Sequence, residues 1–326
     1  MKHKVSVIIP SFNRERFIVK TIESVQMQDY KNWECIIVDD GSTDDTISVV
    51  STIAAADSRI KLYQRPSHLP KGANACRNYG FEQSSGKYIN WLDSDDLIGK
   101  YKFTEQIKAL EESNFPFSIC QTSIFDVSEG KDIGLRCNKI ISPSPLDDYI
   151  QFNIFWSIHA VLWQRRTIAS YRFNQKLQQS QEYEYHIRLL KNHHHYHSTN
   201  RVLATIITHS DNMSNSSDDR MDKFLSNLDV RFWILKDLRY NISPETRDYV
   251  FTYCNTFYKK LLLKRQFLKA IICLKYIWKS IDFIDQYKNK KFLYFLMWSL
   301  ALPSYFFFNR GMIFLKILTY RNQLAK

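Results

Sequence analysis

The chain has 326 residues, 45 Lys and Arg against 33 Asp and Glu, and a formal net charge of +12, enough length for one large or two modest domains with a sizeable core. Its six cysteines form no Cys-x-x-Cys pair and several sit in apolar runs, so they read as reduced core residues, not as a disulfide framework. Residues 256–326 hold fourteen basic residues against Asp282 and Asp285, which leaves residues 1–255 formally neutral.

In chain order, Val5-Ser6-Val7-Ile8-Ile9-Pro10 predicts a strand stopped by proline, with no room before it for a signal peptide. A turn at Ser11-Phe12-Asn13-Arg14 and a helix from Glu15 to about Gln28 follow. Cys35-Ile36-Ile37-Val38 predicts a second buried strand, ending in Asp39-Asp40-Gly41-Ser42-Thr43-Asp44-Asp45. Asp45 or Thr43 can cap the helix through Val50 and Ile53. A third strand is expected at Ile60-Lys61-Leu62-Tyr63, and Lys71 to Asn78 opens a helix rich in small residues. Tyr88-Ile89-Asn90-Trp91-Leu92 then delivers Asp93-Ser94-Asp95-Asp96.

Strands alternating with helices predict an α/β fold with a mostly parallel, doubly wound sheet. Ligands bind at the C-terminal edge of such sheets, where Asn13, Asp40 and Asp93 to Asp96 converge. Three carboxylates in four residues repel one another unless a cation is present, and Asp-x-Asp suits a hard divalent ion that also takes substrate oxygens. The other reading of the same residues is a turn with Asp95 or Asp96 capping a helix from Leu97.

Further on, Ser142-Pro143-Ser144-Pro145 signals a loop, and Gln181 to Leu190 predicts an amphipathic helix with Tyr183, Ile187 and Leu190 inward. The run His193-His194-His195-Tyr196-His197 is expected to form a turn into a strand, because neighbouring strand residues point to opposite faces and cannot converge on one ion. Thr205-Ile206-Ile207-Thr208 is strand-like and leads to His209. The apolar run from Phe292 to Phe308 has seventeen residues, is interrupted by Pro303 and is flanked by Lys288, Lys290, Lys291 and Arg310. A spanning helix needs about 20 apolar residues. Basic flanks beside aromatic, apolar faces fit a helix lying on an anionic membrane surface, and a packed helical bundle is the competing reading. The Phe, Leu and Trp content argues against nucleic acid as the partner.

The segments Val5 to Arg14, Val38 to Asp44, Gly72 to Asn78 and Gly86 to Asp96, in this order and spacing, resemble the family 2 glycosyltransferases of the GT-A fold. The resemblance is good over the first 115 residues and looser to about residue 215. It implies inverting transfer from a UDP-sugar, with Mg²⁺ or Mn²⁺ as cofactor, to a glycan or lipid-linked acceptor in cell-surface polysaccharide assembly. It further implies that Pro10 and Phe12 line the nucleobase pocket, that Asp40 accepts the uracil N3–H, and that Arg77 holds the base or the diphosphate. Asp93 would touch the ribose and Asp95 would ligate the metal, with His209 as an additional ligand. Many relatives carry Glu-Asp where this chain has Gln181-Glu182, which makes Glu182 the expected base and Glu184 its alternative. The implied organisation is a nucleotide-sugar half (1–115), an acceptor and base half (116–215) and a basic helical region (216–326), cytoplasmic and peripheral on the inner face of the membrane. A metal-dependent nucleotidyltransferase and an inactive glycan-binding or scaffold subunit are the alternatives.

Overall fold

A computed structural model of the chain describes residues 3–209, 220–289 and 291–308. The chain folds as two units, residues 1–217 and 218–326. The first unit opens with β1 (Val5–Ser11), α1 (Ile18–Gln26), β2 (Trp33–Asp39), α2 (Thr46–Ala56), β3 (Ile60–Gln64), α3 (Ala73–Gln83) and β4 (Tyr88–Trp91). It continues with β5 (Leu97–Ile98), α4 (Lys102–Glu112), β6 (Phe117–Asp126), β7 (Lys131–Leu135) and α5 (Pro145–Ile150). β8 (Val161–Gln164), α6 (Arg165–Ile168), α7 (Gln181–Leu190) and β9 (His197–Thr208) complete it.

The strands lie in the order β3-β2-β1-β4-β8-β6-β9-β5, with β7 paired to β6. The first four are parallel, and β1, β2 and β4 are buried along their whole length, as continuous apolar runs must be when both sheet faces are covered. Beyond β4 the expected parallel pattern gives way. β8 runs antiparallel to β4 and β6, β9 is parallel to β6, and β5 is antiparallel to β9. The strand–helix repeat that enforces parallel pairing ends where Asp93 to Asp96 turn the chain off the sheet. The sheet also runs unbroken across residue 115, and the expected boundary near 215 falls within residues 210–219, outside the described ones.

Two residues show how closely this half is built. Pro10 lies in a strand flanked on both sides, yet its missing N–H breaks no ladder bond. Ile8 accepts from Leu92 on the β4 side and Ser11 accepts from Asp40 on the β2 side, so alternation points Pro10 toward β4 beyond that strand's last residue. Gly80 lets α3 press onto the sheet, since a Cβ there would come within 2.5 Å of Ile8 Cγ2.

Several local expectations shift. α1 starts at Ile18, after a turn, not at Glu15. No helix begins at Leu97; the acidic turn leads into β5 and the next helix starts at Lys102. The Ser-Pro loop ends by launching α5 with Pro145 in its first turn. α7 is buried on most sides, with Tyr185, His186 and Leu189 joining the expected inward residues. All six cysteines are free and five are buried.

The second unit is helical: α8 (Met221–Asp237), α9 (Pro244–Leu263), α10 (Phe267–Ser280), α11 (Asp285–Lys288) and α12 (Lys291–Phe308). Ser243 caps α9 by accepting from the Thr246 N–H at 3.1 Å, followed by Pro244 at the first helical position. The aromatic run expected to break at Pro303 is helical through it, as α12. Trp298, Ala301 and Tyr305 are buried, and Tyr258 donates to the Trp298 carbonyl at 2.7 Å. Phe292, Leu293, Leu296, Leu300 and Phe307 stay exposed. The segment thus has a packed side and an apolar exposed side. Among the described residues, no helix is long and apolar enough to cross a membrane.

Candidate active site

The strand order places the C-terminal ends of β2, β1 and β4 side by side, so the loops after them form one shelf. Side chains brace that shelf. Asn13, in the left-handed region at φ 51°, accepts from the Thr43 N–H on its side-chain oxygen at 2.8 Å and donates its own N–H to the Ser42 hydroxyl oxygen at 2.9 Å. Arg14 N–H donates to Thr46 Oγ1 at 2.7 Å, and Asp45 N–H donates to Glu15 at 2.9 Å.

The two aspartates ending β2 divide their work. Asp39 accepts from the N–H groups of Gly41 and Ser42 at 2.9 and 2.8 Å, which is the turn chemistry its sequence suggests. That leaves Asp40 for another task. Its Oδ1 is bound by the Arg65 guanidinium and its Oδ2 accepts from the Gly72 N–H at 2.8 Å. Gly72 holds φ 131°, a conformation closed to residues with a side chain, and it opens α3. Asp40 is therefore buried and fixed at the mouth of the shelf, with lone pairs left for one more donor. Pro10 is buried beneath this region and Phe12 is exposed at its rim.

Arg77 is 6% exposed, so it is no surface helix charge. It donates to Asp93 Oδ1 at 2.6 Å, Gln181 Oε1 at 3.2 Å and Asn74 Oδ1 at 3.1 Å, with the Phe173 ring 5.3 Å from its guanidinium carbon. This one residue ties α3, the acidic turn and the start of α7 together.

Asp95 faces a different set. Its Oδ2 lies 3.3 Å from His209 Nε2 and 3.5 Å from Arg14 Nε, and the His209 ring stacks on Phe17 at 3.9 Å. Burial, then the Asp93 charge, push the Asp95 carboxyl up, against the opposing pull of Arg14 and His209. Asp96 is buried behind it, accepts from the Ile207 N–H at 3.0 Å and lies 3.2 Å from His159 Nδ1. Desolvation raises Asp96 well above the usual range and lowers His159 to about 4. The acidic turn is thereby pinned to the end of β9 that carries His209.

Glu182, in the first turn of α7, accepts from the Ile158 N–H at 3.0 Å. Desolvation first, and then the charge of Asp93, raise its carboxyl to about 7, against the pull of Arg136 and Arg77. Glu184 is engaged elsewhere: both its oxygens are taken by Arg188, at 2.5 and 3.0 Å.

Among the described residues, no three His, Cys, Asp or Glu side chains gather closely enough to hold a metal unaided, the histidine run included. Asp95 with His209 supplies one hard oxygen and one imidazole nitrogen. That donor set fits Mg²⁺ or Mn²⁺ when substrate phosphate and water provide the remaining ligands. A cavity of about 640 Å³ between α3 and residues 172–178 contains none of these carboxylates.

Sequence reasoning missed Arg65, His159 and the role of Arg14. Arg65 directly follows β3, whose end adjoins β2, so topology could have placed it beside Asp40. His159 sits in the apolar run from Ile154 to Trp163, where a histidine is a sign of a buried polar contact.

A family model described as Glycosyl transferase family 2 matches residues 6–172. An uncharacterized glycosyltransferase of Haemophilus influenzae is 35% identical over 172 residues, covering 52% of this chain and 65% of that protein. WfgD of Escherichia coli, named UDP-Glc:alpha-D-GlcNAc-diphosphoundecaprenol beta-1,3-glucosyltransferase, is 41% identical over 113 residues, covering 35% and 43%. The chain spans from 18% to 65% of the length of the curated relatives matched first. Among solved structures, S. aureus TarS 1–349 superposes with a TM-score of 0.65 at 17% identity, covering 93% of this chain and 86% of that one. The last comparison shows the fold.

Proposed function

The chain belongs to glycosyltransferase family 2 and has the GT-A fold, and from that premise we propose that it transfers a sugar, with inversion, from a UDP-sugar to a glycan or lipid-linked acceptor in surface-polysaccharide assembly. The observation that carries this reading is the pairing of an acidic turn at the strand edge with Glu182, a carboxyl raised to about 7 by burial and by the Asp93 charge. The name of WfgD, which includes both UDP-Glc and a diphosphoundecaprenol acceptor, supports the donor and acceptor classes.

In this reading Asp40 accepts the uracil N3–H, its orientation fixed beforehand by Arg65 and Gly72. Phe12 offers an aromatic face to the base, and Pro10 shapes the strand end beneath it. Arg77 is held by Asp93 and Gln181 in a position to meet diphosphate oxygens, and Asp93 keeps an exposed edge for the ribose. Asp95 with His209 would hold Mg²⁺ or Mn²⁺, which when bound stabilises the negative charge of the departing diphosphate. Glu182 takes the acceptor hydroxyl proton; a base with a pKa near 7 is half-ionised at neutral pH, which balances availability against proton affinity. Inversion follows if the hydroxyl attacks from the face opposite the diphosphate.

The same reading places the enzyme on the cytoplasmic side of the membrane, held there by its basic second unit. The test is UDP release from a panel of UDP-sugars, with membranes supplying acceptor, in the presence and absence of Mn²⁺. Release from at least one UDP-sugar, suppressed by chelation, is expected. Turnover of GDP-sugars alone, or UDP release unaffected by chelation, would overturn the donor or the metal assignment respectively.

A further inference from the structure

The segments around the candidate base gather two further groups that proton transfer does not use. Glu182 accepts from the Ile158 N–H, so the backbone just after Phe155 lies directly against it. The Arg136 guanidinium carbon sits 4.8 Å from the centre of the Phe155 ring. Arg136 directly follows β7, and its N–H donates to the Thr122 carbonyl at 2.8 Å. The Thr122 hydroxyl in turn lies 2.9 Å from that of Ser157. Backbone and side chain of Arg136 are thus both fastened to the segment that holds Glu182. The second group is Phe152, just beyond α5, at φ 61°, a conformation that costs energy for a residue with a side chain. Its ring lies nearly parallel to that of Tyr183 at 4.9 Å and is 5.4 Å from Phe155. Tyr183 directly follows Glu182 in α7, yet Phe152 remains 42% exposed.

Arg136 differs from the arginines of the nucleotide shelf. Arg14, Arg65 and Arg77 each face a carboxylate. Among the described residues Arg136 forms no ion pair and its side chain donates no hydrogen bond; the Phe155 ring is what it lies on. A guanidinium held over a ring keeps its N–H edge for other partners, and that edge matches two oxygens of a phosphate or a carboxylate. Its charge also reaches the base, since Arg136 pulls the Glu182 carboxyl down against burial and the Asp93 charge. The place explains why a cation is useful. An anionic acceptor brings a second negative charge beside a carboxylate that must ionise to act, and a nearby cation offsets that repulsion. A neutral acceptor would have no such need. The exposed aromatic suits the same ligand, because the C–H face of a sugar ring packs on the negative face of an aromatic one.

We propose that Arg136 and Phe152 form an acceptor subsite for a sugar that carries a phosphate or a carboxylate, with the anion on Arg136 and the sugar ring against Phe152. The subsite deepens the glycosyltransferase reading and rests on Glu182 as its base. Binding is measured by saturation-transfer NMR on the full-length chain, with UDP saturating so that the donor site is filled. The probes are N-acetylglucosamine 1-phosphate, glucuronic acid and neutral N-acetylglucosamine. The parent should bind at least one anionic sugar more tightly than the neutral one, and which of the two it prefers identifies the anion. Arg136→Gln should weaken that binding by about ten-fold or more. Arg136→Lys should weaken it less, because lysine keeps the charge and loses the two-oxygen match. Phe152→Leu should weaken neutral and anionic sugars alike, and Lys139→Gln, at an exposed lysine of the loop after β7, should change nothing. In turnover with a lipid extract as acceptor, Arg136→Gln should raise the extract needed for half-maximal UDP release by a similar factor, with the donor KM near the parent's. Equal binding of the anionic sugars by parent and Arg136→Gln, or no preference of the parent for either of them, overturns the subsite. A raised donor KM with unchanged acceptor dependence also overturns it, by moving Arg136 to the donor. Absence of UDP release by the parent, with the NMR preference intact, overturns the transferase reading and leaves the anionic-sugar site standing.

Discussion

The two units handle charge in opposite ways. In the first, with 25 basic against 24 acidic residues, charges are set against one another at close range: Asp40 with Arg65, Asp93 with Arg77, Asp95 with Arg14 and His209. These pairs sit mostly out of water at the strand edge, where attraction is strong only when geometry is fixed and removing one partner is costly. In the second unit basic residues are in excess, with fourteen against two acids over residues 256–326, and apolar side chains such as Leu263, Leu268 and Phe307 are left in solvent. A site that holds a small anionic substrate through chemistry needs preset, balanced charges. A surface that meets a large anionic sheet needs an excess. The comparison predicts that changes in the first unit act on turnover and changes in the second on attachment.

The largest effect is expected from Asp95→Asn. If Asp95 holds the metal, the variant loses charge stabilisation worth several kcal/mol, on the order of 10³-fold in rate. Burial disfavours the Asp95 charge while Arg14 and His209 favour it, so the isosteric amide should leave the melting temperature near the parent's. Calorimetry beside UDP-release kinetics checks both. A variant that turns over normally at limiting Mn²⁺ removes Asp95 from the metal site.

Glu182→Gln comes next, with a loss of about 10²–10⁴-fold in kcat and little change in donor affinity. In the parent, kcat should rise as pH increases through about 7, where Glu182 loses its proton. Stability should move the other way. The folded value lies above the reference of 4.5, so between about 4.5 and 7 the native state binds more protons than the unfolded chain, and stability falls as pH rises through that window. The variant should lack both slopes. Glu184→Gln breaks the contact with Arg188 and should cost stability with a smaller loss of kcat; the reverse ranking would move the base to Glu184.

Asp40→Ala should weaken UDP binding by about 1.5–3 kcal/mol, roughly ten- to a hundred-fold. It should also lower the melting temperature, because Arg65 would keep only its carbonyl contacts at Pro66 and Leu69. Titration of UDP and GDP distinguishes the two consequences: loss of UDP affinity alone supports the uracil contact, whereas equal loss for both nucleotides reports a disturbed shelf.

How legible all this was differs between the units for the same reason. Motifs such as Asp93 to Asp96 and Asp40-Gly41-Ser42 are local, and a strand followed by a turn puts them at the sheet edge whatever the rest of the chain does. The first four strands and the shelf were therefore readable. The partners were not. Arg65, Gly72 and Gln181 meet Asp40 and Arg77 across 25, 32 and 104 positions of sequence, and no spacing rule encodes such meetings. The antiparallel pairing of β8 with β4 and β6 escaped for a related reason, since its short apolar run does not state a direction. In the second unit, charge and hydropathy showed a basic, aromatic segment but could not separate a packed helix from a surface one. α12 is packed along one side and exposed along another, and it runs helical through Pro303.

The smallest expected effect is the one that holds the comparison together. Raising ionic strength shortens the reach of surface charges, to about 8 Å at physiological salt, and pairs that are buried and within hydrogen-bond distance are screened far less. Arg65 with Asp40 is such a pair, and Arg77 meets the partly exposed Asp93 from the buried side; both arginine side chains are 8% exposed. At saturating donor and a soluble acceptor, kcat should therefore change by less than about two-fold across a salt series that spans the Debye length from about 30 Å to about 8 Å. Binding to anionic vesicles should fall steeply over the same series, because each lysine near the surface contributes about 1 kcal/mol only while its field reaches the lipid. The two curves are measured on one preparation, kcat by UDP release and attachment by flotation. If kcat falls in parallel with attachment, the shelf charges are solvent-screened and the catalytic unit is not the closed network described above. If neither curve moves, attachment is apolar, and the basic excess of the second unit contributes nothing to it.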